Sequence, residues 1–148
     1  MVLIYTFPTE SYHPEDLPDP ILDDIEIQGP PLQMQKDRLE DAKLKVVVNG
    51  PQLTNLRARI TLTRLQSIDN AQPPSSDWSV TTLPTGTPKF EAQWECVDPS
   101  HTVDPQHQPT FVAPFLPSTA GTFRFTYWVD ADELATPVET YLDVTVTP

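Results

Sequence analysis

The stretch "LRARITLTRL", residues 56–65, alternates apolar and polar side chains almost without a break. Leu56, Ala58, Ile60 and Leu62 fall on one side of an extended chain, and Arg57, Arg59, Thr61 and Thr63 on the other. Side chains of a strand point to opposite faces in turn, so this is the pattern of a half-buried strand. The same period recurs in both directions. Upstream, "LKVVVNG" sets Leu44, Val46 and Val48 on one face and closes on the turn signal Asn49-Gly50-Pro51. Downstream, "FEAQWECV" directs Phe90, Ala92, Trp94 and Cys96 inward against Glu91, Gln93 and Glu95. "TFRFTYWVD" does so for Phe123, Phe125, Tyr127 and Val129, and "YLDVTVT" for Leu142, Val144 and Val146. Shorter strands are expected at 79–83 and 110–115, and a helical turn only at 33–41. About seven strands separated by turns, with no helices between them, specify an all-β antiparallel sandwich over residues 37–148. Arginines on one outer face and glutamates on another are placed to pair across strands, at a few tenths of a kcal/mol each.

The chain before this domain has another character. "FPTESYHPEDLPDPILDDIEIQGPP", residues 7–31, is crowded with proline and carboxylate. Up to Gln35 there are seven acidic residues (Glu10, Glu15, Asp16, Asp19, Asp23, Asp24 and Glu26) and no lysine or arginine. Each proline fixes φ near −65°, removes a backbone donor and pushes the residue before it towards extended conformations. Residues 1–36 therefore read as an extended arm, too polar to bury a core alone. Apolar residues are nevertheless spaced along it, and Tyr5, Phe7, Tyr12, Leu17, Ile21, Leu22, Ile25 and Ile27 are the candidate anchors to a partner. Docking must offset about 1–2 kcal/mol of backbone entropy per ordered residue, which favours a permanent assembly over a passing encounter.

Bulk composition narrows the partners. A net charge of −12 argues against a nucleic-acid partner, whose affinity rests on lysine and arginine displacing counterions. It argues equally against an anionic membrane surface. A single cysteine, Cys96, excludes an intrachain disulfide and a multi-cysteine zinc site. The start "MVLIYTFPTE" has no positive n-region and only a short apolar run, so no conventional signal peptide is expected. A cytoplasmic protein or a virus particle fits that reading.

"FVAPFLPSTAGTFRFTYWV", residues 111–129, resembles the late strands of an immunoglobulin-like module, in which a Gly-x-Tyr-x-Cys corner leads into a core strand. The matching run here is Gly121-Thr122-Phe123-Arg124-Phe125, with phenylalanines where the family often carries Tyr and Cys. The resemblance covers residues 37–148, implies an Ig-like sandwich, and implies for Trp94 the role of the core tryptophan.

Chemistry is sparse. "CVDPSHTVDPQH" gathers Cys96, Asp98, His101, Asp104 and His107, donors that suit zinc or nickel, but at a spacing that belongs to no metal motif. An exposed polar loop over 98–109 is the simpler reading. "DADE", Asp130 to Glu133, offers oxygen ligands for calcium but lacks the glycine and distant glutamate of an EF-hand, so a solvated turn is expected. Cys96 falls on the inward register beside Trp94, where a thiol acts as a small hydrophobe and not as a nucleophile. There is no GxSxG elbow, GxGxxG loop or P-loop. No cofactor or catalytic residue is assigned, and the expectation is a non-enzyme.

Trp128 lies on the face opposite Phe123, Phe125 and Tyr127, beside Arg124, so these two are the candidate surface contact. The expected function is structural: a protein that docks by its arm on a large assembly and self-associates. The architecture resembles that of phage capsid decoration or cement proteins, with a virion location and a capsid subunit as partner. The alternatives are a carbohydrate- or cell-surface-binding module using Trp128, a phage tail or baseplate accessory, and last a small hydrolase.

Overall fold

The computed structural model describes residues 4–8, 22–48, 50, 52–62, 67–68, 71–83 and 90–148, with side chains of 4–8, 22–24 and 67 left aside. Among these residues the chain forms only strands and turns. In chain order the strands are β1 (Ile4–Pro8), β2 (Leu22–Gln28), β3 (Gln33–Gln35), β4 (Glu40–Val48), β5 (Leu53–Thr54), β6 (Arg57–Leu62), β7 (Ser67–Ile68), β8 (Trp78–Leu83), β9 (Glu91–Cys96), β10 (Thr102–Val103), β11 (Thr110–Leu116), β12 (Gly121–Asp130) and β13 (Val138–Thr147). One sheet has the order β1-β2-β4-β11-β7, the other β3-β13-β12-β6-β9-β8, and β5 pairs with β10 in a small ribbon. All the pairings are antiparallel except β3 with β13. Every one of the seven strand stretches marked by period two lies in one of these sheets.

The alternation read in residues 56–62 is the alternation of burial. Ala58, Ile60 and Leu62 are fully or almost fully buried, while Arg57, Arg59 and Thr61 are only half-buried. The inner faces of the two sheets meet through aromatic rings, which supply large buried area in edge-to-face and tilted contacts. Phe115 of β11 meets Phe125 of β12 with ring centroids 4.9 Å apart, and Phe111 touches Trp94 at 5.3 Å and Trp78 at 5.0 Å. Trp94 donates its indole N–H to the Gln72 carbonyl at 3.0 Å, so its one polar atom is satisfied inside the core.

The structure corrects two expectations. Residues 33–41 do not form a helical turn. Asp37 sits at φ 63°, a left-handed conformation that ends a right-handed helix, and its N–H donates to the Pro117 carbonyl. Gln33–Gln35 instead run parallel to Thr145–Thr147 as β3. The second correction concerns the expected arm. Leu22–Gln28 is β2, the strand between β1 and β4, with Ile25 opposite Val46 and Ile27 opposite Leu44. Ile25 and Ile27 are fully buried, so they belong to the core and are not presented to a partner. In "DIEIQ" the period-two alternation needed for a strand is already present, with Glu26 and Gln28 on the outer side.

Tyr127 ties this strand to the opposite sheet. Its buried hydroxyl donates to the Gly29 carbonyl at 3.1 Å, just beyond the end of β2. Gly29 has φ 87°, which its missing Cβ allows, and that turn aims the carbonyl into the core. Replacing Ile27 with alanine is expected to cost about 2–5 kcal/mol, read as a fall in the urea midpoint with an unchanged m-value. A loss below about 0.5 kcal/mol, the range of ordinary surface substitutions, would contradict the placement of β2.

Candidate interaction surface

Among the described residues nothing covers the outer face of the second sheet, and strand register decides which side chains meet there. One cross-strand row runs Glu139–Trp128–Arg59–Gln93–Thr81 over β13, β12, β6, β9 and β8. The neighbouring row is Asp130–Arg57–Glu95–Ser79. The Arg59 guanidinium lies over the Trp128 ring, 3.8 Å from its centroid, and Arg124 lies over Tyr141 at the same distance. Guanidinium–indole stacking at a partly exposed site contributes about 0.5–1 kcal/mol and fixes both side chains. Between the rows is a shallow depression of about 300 Å³, lined by Arg57, Ala58, Arg59, Thr81, Gln93, Trp94, Glu95 and Trp128.

The arginines of this face are not equivalent. Arg124 holds Asp143 through two nitrogens, at 2.9 and 3.2 Å. Arg57 reaches Asp130 at 3.2 Å and Asp132 at 3.9 Å, and its buried Nε has no hydrogen-bond partner among the described residues. Arg59 stacks on Trp128 and has no carboxylate partner among the described residues.

Of the residues singled out from sequence, Trp128 and Arg124 lie on this face. Trp128 is half-buried and Arg124 exposed. Tyr5 and Phe7 lie in β1, and Leu22 opens β2 opposite Val48. Tyr12, Leu17 and Ile21 lie outside the described residues. Ile25 and Ile27 are core. Arg59 escaped selection, although its outward register was legible; what was missing is the pairing of β6 with β12 that sets it beside Trp128. Trp78 proves to be buried, edge-on to the His101 ring at 5.5 Å.

The candidate chemical groups have structural employment. Glu133 accepts from the Thr54 N–H at 2.7 Å and from its hydroxyl at 2.5 Å, while Asn55 donates to Asp132 at 3.1 Å. With Arg57 on Asp130, the "DADE" carboxylates fasten the β12–β13 connection to the β5–β6 connection. In the 98–109 loop, Asp98 accepts from the Ser100 N–H and hydroxyl at 2.9 and 2.8 Å, and Asp104 from the Gln106 N–H at 2.9 Å, with the His107 ring at 3.0 Å. Among the described residues no three or more His, Cys, Asp or Glu side chains gather so as to hold a metal ion. Cys96 is buried, and its thiol points at the Leu56 carbonyl, 3.4 Å away. Burial pushes that thiol's pKa up, against the opposing pull of the Arg57 charge.

No protein-family model and no curated protein sequence matches the chain. Its backbone is similar to solved structures. A structure of an uncharacterized Nocardia farcinica protein with an immunoglobulin-like fold aligns at a TM-score of 0.57 and 14% identity, over 77% of this chain and 92% of that one. The fold is an immunoglobulin-like β-sandwich. A cohesin module from a Clostridium perfringens family 33 glycoside hydrolase aligns at 0.60 and 10% identity, over 86% of this chain and 98% of that one. A non-cellulosomal cohesin from Archaeoglobus fulgidus aligns at 0.50 and 8% identity, over 78% and 86%. Within the Ig-like sandwich Trp94 is a core tryptophan, as the resemblance implied.

Two measurements check these assignments. A thiol reagent at pH 8 is expected to leave Cys96 unmodified in the native chain and to label it fully once urea unfolds the sandwich. Rapid labelling of the folded chain would contradict its burial. Asp98 is held below the ordinary carboxylate range by the Ser100 N–H and hydroxyl, and Asp143 by hydrogen bonding to Arg124. A carboxylate whose pKa is lower folded than unfolded stabilises the fold above its unfolded value, about 3.9, and loses that contribution as pH falls through the folded value. The Tm is therefore expected to decline below about pH 4, and to decline less in Asp143→Asn. An identical acid decline in that variant would remove Asp143 from the account.

Proposed function

We propose that the chain is a non-enzymatic interaction module that docks on a larger protein assembly, and within that class a virion decoration or cement protein bound to capsid subunits. The observation that carries the reading is the outer face of the second sheet, where Trp128 and Tyr141 are each overlaid by an arginine around a shallow depression. Tryptophan, tyrosine and arginine are the side chains enriched where protein interfaces concentrate their energy. An indole already fixed by a guanidinium loses little further freedom on binding. The occurrence of this architecture as a module of a glycoside hydrolase supports a modular role. The finer assignment is supported by the acidic, proline-rich residues before β2, whose apolar side chains Tyr12, Leu17 and Ile21 suit successive pockets on a neighbour. The net charge of −12 disfavours polyanionic partners.

A second reading, a carbohydrate-binding module, draws on Trp128 as a stacking platform. Arg59 already occupies one face of that ring, which leaves a sugar only the other.

The test is made on purified virus particles from the source of the chain. The chain is expected to co-sediment with the shell in a fixed ratio to the capsid subunit. Trp128→Ala is expected to weaken its rebinding to stripped shells by at least about 30-fold, the cost of losing an interface hot spot. Particles that lack the chain would overturn the virion assignment, and unchanged rebinding by Trp128→Ala would remove the sheet face as the contact.

A further inference from the structure

We propose that β8, an edge strand of the second sheet, pairs antiparallel with β8 of a second copy about a two-fold axis at Thr81, joining the two second sheets into one. The contact lies at the rim of the sheet and leaves the outer face, with Trp128, open to the partner proposed above. A second copy is thus added to the partners of the module.

A sheet edge presents a row of unpaired N–H and C=O groups, and proteins blunt such edges with short strands, charge or proline. Those devices stand at the other edges of this sandwich. β7 has two residues and β3 three, β1 ends on Pro8, and the part of β13 beyond β3 carries Glu139 and Asp143. β8 has none of them: its six residues, "WSVTTL", hold no charge and no proline, and it follows β9 without a register shift. Strand parity identifies its free backbone groups. The Val97 N–H donates to the Asp77 carbonyl at 2.9 Å and the Leu62 N–H to the Phe90 carbonyl at 2.7 Å, so Ser79, Thr81 and Leu83 turn their backbone towards β9. The Trp78 N–H is met by the Ser75 carbonyl at 3.3 Å. Val80 and Thr82 turn theirs away from the sheet, where no described strand receives them.

These free groups complement themselves. In an antiparallel pair centred on Thr81, Val80 of one copy faces the partner's Thr82, and each such pair exchanges both of its N–H···O bonds. Thr81 meets the partner's Thr81 in a non-hydrogen-bonded pair, where facing side chains come closest. Val80 is half-buried and packed against the core, and the incoming strand covers its open side. Charge favours a second copy at this edge above any other. Two chains of net charge −12 repel, and an uncharged strand brings them together where that repulsion is weakest. In this register the carboxylates of Glu95 and the partner's Glu91 stay three strand spacings apart, about 14 Å, beyond the Debye length of about 8 Å at physiological ionic strength. The same strand serves both copies, so the contact is isologous and closes at a dimer. Both outer faces then lie on one side of the joined sheet and offer two Trp128 contacts to a single surface.

Sedimentation equilibrium on the full-length chain tests this. The average mass of the wild type is expected to rise from monomer to dimer, and no further, as concentration approaches about 1 mM. Thr82→Pro removes an outward N–H and no bond to β9, and is expected to abolish association with an unchanged Tm. Thr81→Lys and Thr81→Glu each set like charges face to face on the two-fold axis, and each is expected to be monomeric. Mixed in equal amounts they set opposite charges there, and the mixture is expected to regain the dimer. A wild type that stays monomeric at about 1 mM, a Thr81→Lys chain that dimerises like the wild type, or a mixture that stays monomeric would each overturn the inference. A monomeric wild type whose rebinding to stripped shells is lost in Thr82→Pro would give the edge to a strand of the shell instead. The dimer is read without virus particles, and Trp128→Ala is expected to leave it intact, so this contact and the proposed function fail separately.

Discussion

Strand β2 is the constraint on which the sandwich depends. Its isoleucines close the core over the end of the first sheet, and its backbone satisfies the edge of β4 that would otherwise face water. Burial of each isoleucine contributes about 1.5–3 kcal/mol relative to exposure, and the ladder to β4 fixes the register that aims them inward. Glu26 stands opposite Lys45 in that ladder, so at this position an acidic residue from the N-terminal stretch meets a basic one from β4. The Tyr127 hydroxyl then pins the turn at Gly29 from the other sheet. A stretch with the composition of a disordered tail is thereby made indispensable to the core.

The second sheet writes its outer face with the same period that builds its inner one. Arg57 and Arg59 are two residues apart on β6 and share a face, yet register sends them to different fates. Arg57 lies opposite Asp130 and is drawn to the carboxylates of the β12–β13 connection. Arg59 lies opposite Trp128 and stacks. A slip of one residue in the β6–β12 pairing would bury both arginines and expose Ile60, so the core holds the outer surface in place.

Much of this was legible in the sequence. Seven of the strands, β4, β6, β8, β9, β11, β12 and β13, follow from alternation, because half-buried strands must alternate, and the inward places of Trp94 and Cys96 follow with them. The strand at Leu22–Gln28 was hidden for a physical reason. Ile25 and Ile27 alternate correctly, but the carboxylates and prolines around them are the marks of a chain that cannot fold by itself. It does not fold by itself; it is completed by β4 and Tyr127. The pairing of Arg59 with Trp128 was hidden differently, since outward direction is a local property and cross-strand neighbourhood is not. Period two says which face a residue occupies, never which strand lies beside it.

The parallel pairing of Gln33–Gln35 with Thr145–Thr147 joins two segments that are more than a hundred residues apart in the chain. Contacts of such separation require the closing of a very long loop, and proteins built on them reach the native state slowly. On the ribosome the consequence is sharper. Ile25 and Ile27 emerge early, but the tyrosine that pins their strand and the C-terminal strand that β3 flanks emerge near the end. Strands β2 and β4 must therefore wait, with their apolar face uncovered, until β11, β12 and β13 have been made. The density of acidic residues around β2 gives that waiting segment a charge that favours solubility until those strands arrive.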